Sequence, residues 1–233
     1  WVRAEERANE QRVGLVPEGA AALIAAGYKV TIEEDPTRAI PIKGYADAGC
    51  SIAPSGSWRA AAADVVILGL KELPEDGLAL KHRHIMFGHA YKGQPAGQRL
   101  LAQFKAGGGA LYDLEYLTDP DGRRVAAFGY WAGYAGAAVA LKVWLAQYNR
   151  RQMQPVGIYG SSQALLEDLK TQLPAARPAC LIIGALGRVG TGAADLLDAL
   201  NIPVTRWDMA ETASGGPFPE ILAHDIFLNC ILA

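Results

Sequence analysis

The stretch Ala179–Asp208, ACLIIGALGRVGTGAADLLDALNIPVTRWD, restricts what this chain can fold into more than any other. An apolar run suited to a buried strand, Cys180–Ile183, enters a glycine-rich turn at Gly184, Gly187 and Gly190. A helical pattern starting near Arg188 continues through Leu200, and a second short strand ends in the carboxylate of Asp208. Strand, glycine turn, helix and strand in that order open a βαβ nucleotide-binding unit. Each part has a physical reason. Glycines let the backbone approach a pyrophosphate closely, and the helix aims unpaired N–H groups and its positive dipole end at the phosphates. Asp208 lies about 20 residues on, where the fingerprint expects an acidic residue. There it can accept hydrogen bonds from ribose hydroxyls and repel a 2′-phosphate, which favours NAD over NADP, although Arg206 is close by. The spacing is G-x-x-G-x-x-G rather than G-x-G-x-x-G, so the glycines carry weight only through the strand and helix that flank them. A tight strand-to-helix turn without a ligand would use the same residues.

The chain has 233 residues, 51% hydrophobic and 20% charged, enough for a substantial core divided between two domains. A net charge of −2 offers no basic footprint, which excludes nucleic acid and anionic membrane as partners. Cys50, Cys180 and Cys230 form no C-x-x-C and have no histidine at metal spacing, so a reducing, cytoplasmic compartment and no metal site are expected. Cys180 and Cys230 read as buried small hydrophobes. Arg3, Glu5, Glu6 and Arg7 break up any signal peptide. The uncharged run Val125–Leu141 is short against the roughly 17 to 25 residues of a membrane span, and its many Gly and Ala residues suit a closely packed buried helix.

Strand patterns at Trp1–Ala4, Tyr28–Glu33, Cys50–Ala53, Asp64–Leu70, His84–Ala90 and Ala110–Leu117 alternate with helical patterns at Pro17–Ala26, Tyr45–Gly49 and Gly97–Ala106. A long helix from Gly129 to Arg150, an amphipathic helix at Ser161–Leu173, the glycine-rich unit and a last strand at Asp225–Ile231 follow. The fold class expected is α/β, with two Rossmann-like three-layer domains built on parallel sheets. The boundaries expected are residues 1–128 for a substrate and catalytic domain, 129–155 for an inter-domain helix and linker, and 156–233 for the NAD-binding domain. A doubly wound domain needs about six strands and this one stops after roughly the third, so it is expected to be incomplete at its C-terminus and part of a longer protein. Its uncovered last strand would favour poor solubility or a partner.

In open α/β sheets ligands bind at the carboxyl ends of strands. Lys71 and Glu72 follow DVVILGL directly, the next apolar run, His84–Ala90, presents His89, Tyr91 and Lys92 at the same kind of position, and Glu115 ends LYDLE. Taken alone, Lys71–Glu72 would more often be a solvated ion pair and His89 a core histidine. His82, His84 and His224 read as packing or surface.

Beyond these positions, several stretches resemble one family. WVRAEERANEQRVGLVPEG at the start, GLKELPE at Gly69–Glu75, HIMFGHAYKGQ at His84–Gln94, LYDLEYL at Leu111–Leu117, GRRVAAFGYWAGYAGAA at Gly122–Ala138, LIIGALGRVGTGA at Leu181–Ala193 and GGPFPEI at Gly215–Ile221 are similar to the NAD-dependent, L-lysine-forming saccharopine dehydrogenases. These are in turn related in structure to alanine dehydrogenase and transhydrogenase. The resemblance implies NAD-linked oxidation of saccharopine, with hydrolysis of the imine to lysine and 2-oxoglutarate. It also implies Lys71 as the base for the secondary amine and His89 as the acid–base group of hydrolysis. Glu72 and Glu115 would tune those two groups, and Arg12, Lys92 and Arg124 would bind substrate carboxylates. Gly184, Gly187, Arg188, Gly190 and Asp208 would hold the cofactor.

The chemistry fits these residue types. Lysine shifts its proton affinity readily on burial, histidine titrates near neutrality, and arginine's fork matches a carboxylate in two parallel bonds. A monomeric enzyme is expected. The competing readings are an amino-acid dehydrogenase of the alanine type and a non-catalytic NAD-binding fragment.

Overall fold

Short apolar runs separated by helices that begin on proline commit the first part of the chain to a parallel sheet. The computed structural model describes residues 1–231, in two units, Trp1–Ala126 and Ala127–Ala233. In the first, α1 (Pro17–Ala25), β1 (Thr31–Glu33), α2 (Ile42–Asp47), β2 (Ser51–Ala53), β3 (Val66–Leu68), β4 (Arg83–Met86), α3 (Pro95–Gly107) and β5 (Ala110–Asp113) follow in order. Pro17 and Pro95 open their helices, where the missing N–H has no partner to lose. β1 pairs with β2, β3 with β4 and β4 with β5, all parallel. Val2 bridges Ile32 on one side and Leu68 on the other, again in parallel. The whole sheet therefore runs β2, β1, the Trp1–Arg3 segment, β3, β4, β5, the 3-2-1-4-5-6 arrangement of a doubly wound fold. The strand expected at Trp1–Ala4 contracts to this bridge because the Ala4 N–H leaves the ladder for the Glu33 carboxylate, at 2.9 Å.

Two apolar clusters flank this sheet's strands. Ile67 and Met86 pack with Trp58, Leu80, Leu100 and Phe104, and Ile32 and Val2 pack with Ala20, Val30, Tyr45 and Cys50. Each large apolar side chain buried in this way contributes on the order of 1.5–3 kcal/mol. His82 and His84 are buried among them, Trp58 and Phe104 meeting His84 edge-on. Glu33 is fully buried but satisfied: its carboxylate accepts from Trp1 Nε1 (3.0 Å) and the N–H groups of Ala4 (2.9 Å), Gly56 (2.9 Å) and Trp58 (2.6 Å).

Three strands end earlier than their apolar runs, each for an identifiable reason. β5 stops at Asp113, whose carboxylate accepts the Glu115 N–H at 3.0 Å and caps a 3₁₀ turn, Leu114–Tyr116. β3 ends at Leu68: the Gly69 N–H still reaches Ile85 O at 3.0 Å, but the Leu70 and Lys71 N–H groups that follow turn to a glutamate, as described below. β4 stops at Met86, three residues before His89, whose φ of +47° cannot continue a strand.

The second unit holds α4 (Gly129–Tyr148), α5 (Ser162–Gln172), β6 (Cys180–Ile183), α6 (Arg188–Ala199), β7 (Val204–Trp207), α7 (Met209–Thr212) and β8 (Ile226–Asn229). Its parallel sheet has the order β7, β6, β8, so the chain crosses from one side of β6 to the other after β7. The carboxyl end of β6 is thus the switch point at which such sheets bind ligands. The long helix α4 packs on α6 inside this unit, through glycines. A Cβ on Gly133 would lie 1.8 Å from the Val189 carbonyl oxygen, and one on Gly192 would lie 1.9 Å from that of Tyr130. Backbone touches backbone there. Cys180 is buried, whereas Cys230 is only half-buried. No helix among the described residues is long and apolar enough to cross a membrane.

Candidate functional site

In the first unit the loops after β3, β4 and β5 converge, because parallel strands deliver their carboxyl ends to one edge of the sheet. Leu70 O accepts the Phe87 N–H at 3.1 Å, which brings the loop carrying Lys71 and Glu72 alongside the one carrying His89. The His89 ring hydrogen-bonds through Nδ1 to Glu72 Oε1, and its Nε2 lies 3.9 Å from Glu115 Oε2. Beyond them, Arg7 Nη1 lies 3.6 Å from Glu72 Oε2, while Lys92 Nζ and Arg124 Nη1 each lie 3.1 Å from Glu115 Oε1. The result is an imidazole flanked by two carboxylates, each of which has cations on its far side.

Burial works against ionisation of Glu72, yet the His89 hydrogen bond, its own backbone and the charges of His89 and Arg7 outweigh that, so its pKa falls below the usual glutamate value. Glu115 behaves likewise: desolvation opposes the carboxylate, and the Lys92 hydrogen bond with the charges of Arg124, Lys92 and His89 overcomes it. Both stay anionic at neutral pH on either side of the ring. The left-handed backbone of His89 is a sparsely populated state that structures retain where surroundings over-determine it, often at functional positions.

Lys71 is half-buried, and among the described residues its ammonium makes no hydrogen bond or ion pair. It is close enough to Glu10 for its charge to help hold that carboxyl below the usual range, after the larger effect of the Arg12 hydrogen bond. Arg12 grips Glu10 with both arms of its fork, Nε to Oε1 at 2.8 Å and Nη2 to Oε2 at 2.7 Å. Glu72, His89 and Glu115 are therefore brought together, with Lys92 and Arg124 attached through Glu115; Lys71 directly precedes Glu72 on the same loop, and its charge acts on Glu10, which Arg12 holds. Sequence pattern had given no sign of Arg7 or Glu10. Both lie in a polar loop with no helical or strand period, where only the i, i+2 pairing of Glu10 with Arg12 could have hinted at a role.

The second unit presents the glycine turn at the end of β6. Gly184 has φ +81°, and a Cβ on Gly190 would fall 2.1 Å from the Gly184 carbonyl oxygen, so helix and turn meet without room for a side chain. Gly187 caps α6 without a side chain, so no cap hydrogen bond from the N-cap residue covers the first turn of the helix. An open, glycine-lined helix N-terminus of this kind fits a phosphate. Asp208 sits beside it at the end of β7: Oδ2 accepts the Leu186 N–H and Oδ1 that of Met209, both at 2.9 Å. It also caps α7, with the Glu211 carboxylate accepting the Asp208 N–H at 2.7 Å. Arg206 is turned to Asp198, its Nη2 2.5 and 2.6 Å from the two carboxylate oxygens.

Residues 1–135 match the family described as alanine dehydrogenase/PNT, N-terminal domain. The chain belongs to this alanine dehydrogenase/PNT family. A saccharopine dehydrogenase [NAD(+), L-lysine-forming] from Schizosaccharomyces pombe is 46% identical over 99% of the chain. Further relatives of that name are 43–45% identical. The chain spans 64–66% of the length of these relatives. Among solved structures, a transhydrogenase from Sinorhizobium meliloti matches all of the chain and 69% of its own at TM-score 0.61 and 18% identity. An L-alanine dehydrogenase matches 98% of the chain and 60% of its own at TM-score 0.56 and 21% identity. The Rossmann-like α/β fold of the family is thus that of this chain.

Proposed function

We propose that this chain is the catalytic and cofactor-binding portion of an NAD-dependent dehydrogenase that converts saccharopine to L-lysine and 2-oxoglutarate. The observation that carries the reading is the imidazole of His89 held between two ionised carboxylates, one of which, Glu72, directly follows Lys71, a lysine whose ammonium makes no hydrogen bond or ion pair among the described residues. The printed names of relatives at 43–46% identity supply the substrate.

Lys71 takes the proton of saccharopine's secondary amine as the neighbouring C–H bond gives up its hydride, leaving an imine. NAD, when bound, accepts that hydride. His89 removes a proton from the water that adds to the imine carbon and returns one to nitrogen as the carbinolamine collapses, a two-way role suited to an imidazole, whose ring nitrogens can both accept and donate. Glu72 orients the ring through Nδ1, and Glu115 faces Nε2. Arg12, Lys92 and Arg124 attract the substrate's three carboxylates, exchanging glutamate partners for them. Gly184, Gly187, Arg188 and Gly190 cradle the pyrophosphate. Asp208 accepts from the adenosine ribose, and Glu211 adds a second carboxylate disfavouring a 2′-phosphate, while Arg206 is occupied by Asp198. NAD is therefore the expected cofactor, and a monomer in the reducing cytoplasm the expected setting, in keeping with three unpaired cysteines.

The test is the absorbance of NADH on mixing NAD with saccharopine, run on this chain and on a longer polypeptide that spans the rest of its relatives' length. Production of NADH with saccharopine and not with alanine is expected from the longer form. NADH from alanine, or from neither substrate, would overturn the assignment.

A further inference from the structure

We infer that Arg3 and Glu5 are positioning residues for Lys71, gripping the backbone that carries it into the site. This rests on the reading of Lys71 as the amine base. Arg3 ends the N-terminal segment that lies between β1 and β3 in the sheet, and Glu5 follows it, at the switch point of the first sheet. Their side chains are 0% and 4% exposed and lie 3.4 Å apart. Glu5 accepts the Leu70 N–H on Oε1 at 2.7 Å and the Lys71 N–H on Oε2 at 3.0 Å. From the other side, Arg3 Nη2 donates to the Lys71 carbonyl, and Nη1 donates to that of Ala4 at 3.1 Å. The guanidinium packs directly over Gly69, where a Cβ would come within 2.4 Å of Nε.

The two peptide units flanking the Lys71 Cα are therefore both held by one buried ion pair, in place of a strand neighbour. The lysine's own ammonium has no partner among the described residues, so its direction is set from the backbone end. Stability gives no adequate reason for such a pair, because well-packed apolar residues of similar volume often stabilise a buried position equally or better. A fixed backbone under a reacting amine is a reason, since misplacing a catalytic group by an ångström costs up to about a hundredfold in rate.

The experiment compares Glu5→Gln and Glu5→Asp with the parent in the full-length enzyme, alone and combined with Lys71→Met. Three readouts are taken: turnover of saccharopine, KM for NAD, and the rate at which an amine-reactive reagent labels Lys71, followed by mass spectrometry. Glu5→Gln puts an amide N–H against a backbone N–H. It is expected to lower kcat by about tenfold or more with KM for NAD unchanged, to change the labelling rate of Lys71 at least threefold, and to add no further loss in the Lys71→Met background. Glu5→Asp, which keeps the carboxylate, is expected to fall between Gln and parent, and it carries the test if the Gln variant does not fold. Parental kcat and parental labelling in a folded Glu5 variant, or a full independent loss on top of Lys71→Met, would overturn the clamp. Parental turnover by Lys71→Met alone would instead remove Lys71 as the base, and the labelling rate would still decide whether Glu5 holds it.

Discussion

Replacing Gly190 by alanine tests the cofactor cradle at the point where it has least room. The new methyl would sit 2.1 Å from the Gly184 carbonyl oxygen and 2.6 Å from the Ala185 Cα, both backbone atoms that cannot swing aside. To reach even a 3.0 Å contact, the first turn of α6 must back away from the glycine turn by about 0.9 Å. Overpacking of this kind costs about 1–3 kcal/mol in stability. The retreat also withdraws the helix N–H groups from a bound phosphate, and loss of one hydrogen bond to a charged group is worth about 1.5–3 kcal/mol. Affinity for NAD should therefore fall by about 10- to 150-fold. Calorimetric titration with NAD measures this directly, with a thermal melt recorded in parallel. Gly136→Ala is the control: it lies on the exposed side of α4 with nothing within 4 Å of its Cβ, so it should leave NAD affinity alone and gain up to about 1 kcal/mol of helix stability. Parental NAD affinity in Gly190→Ala would refute the cradle.

Asp208→Ala should weaken NAD binding by an order of magnitude or so while narrowing the preference over NADP, checked by titrating both nucleotides; equal affinities before and after would discard the ribose role. Acid stability offers a second handle. Glu72 and Glu115 have pKa values depressed below the usual 4.5, so the stability they confer is complete above that value and is lost as pH falls through their lowered ones. Urea unfolding as a function of pH should show a shallower acid decline in Glu115→Gln than in the parent. Burial pushes the Cys180 thiol up to about 12, so a thiol reagent should leave it unlabelled in the native protein and label it on unfolding.

Much of the architecture could be read from local pattern. Cys180–Ile183 is a strand and Arg188 starts a helix because apolar period and glycine punctuation act over a few neighbours. The ends of β3 and β5 could not be read that way. The first depends on a glutamate 65 positions earlier in the chain, and the second on Asp113 turning its side chain to its own backbone two residues on. In the site, Lys71, Glu72, His89 and Glu115 were visible because each follows an apolar run that a parallel sheet must bring to one edge. Arg7 and Glu10 were not, since a polar loop has no period from which to infer a direction. Nor did the chain reveal that Arg206 would be engaged by Asp198, a pairing that exists only once β7 lies against the end of α6.

The meeting of α4 with α6 carries a mechanical consequence. Where Gly133 faces Val189 and Gly192 faces Tyr130, no side chain cushions one rod from the other, so there is nothing soft to absorb a displacement. A push on the long helix meets the backbone of its neighbour directly, and that neighbour is the helix whose start is proposed to bed the pyrophosphate.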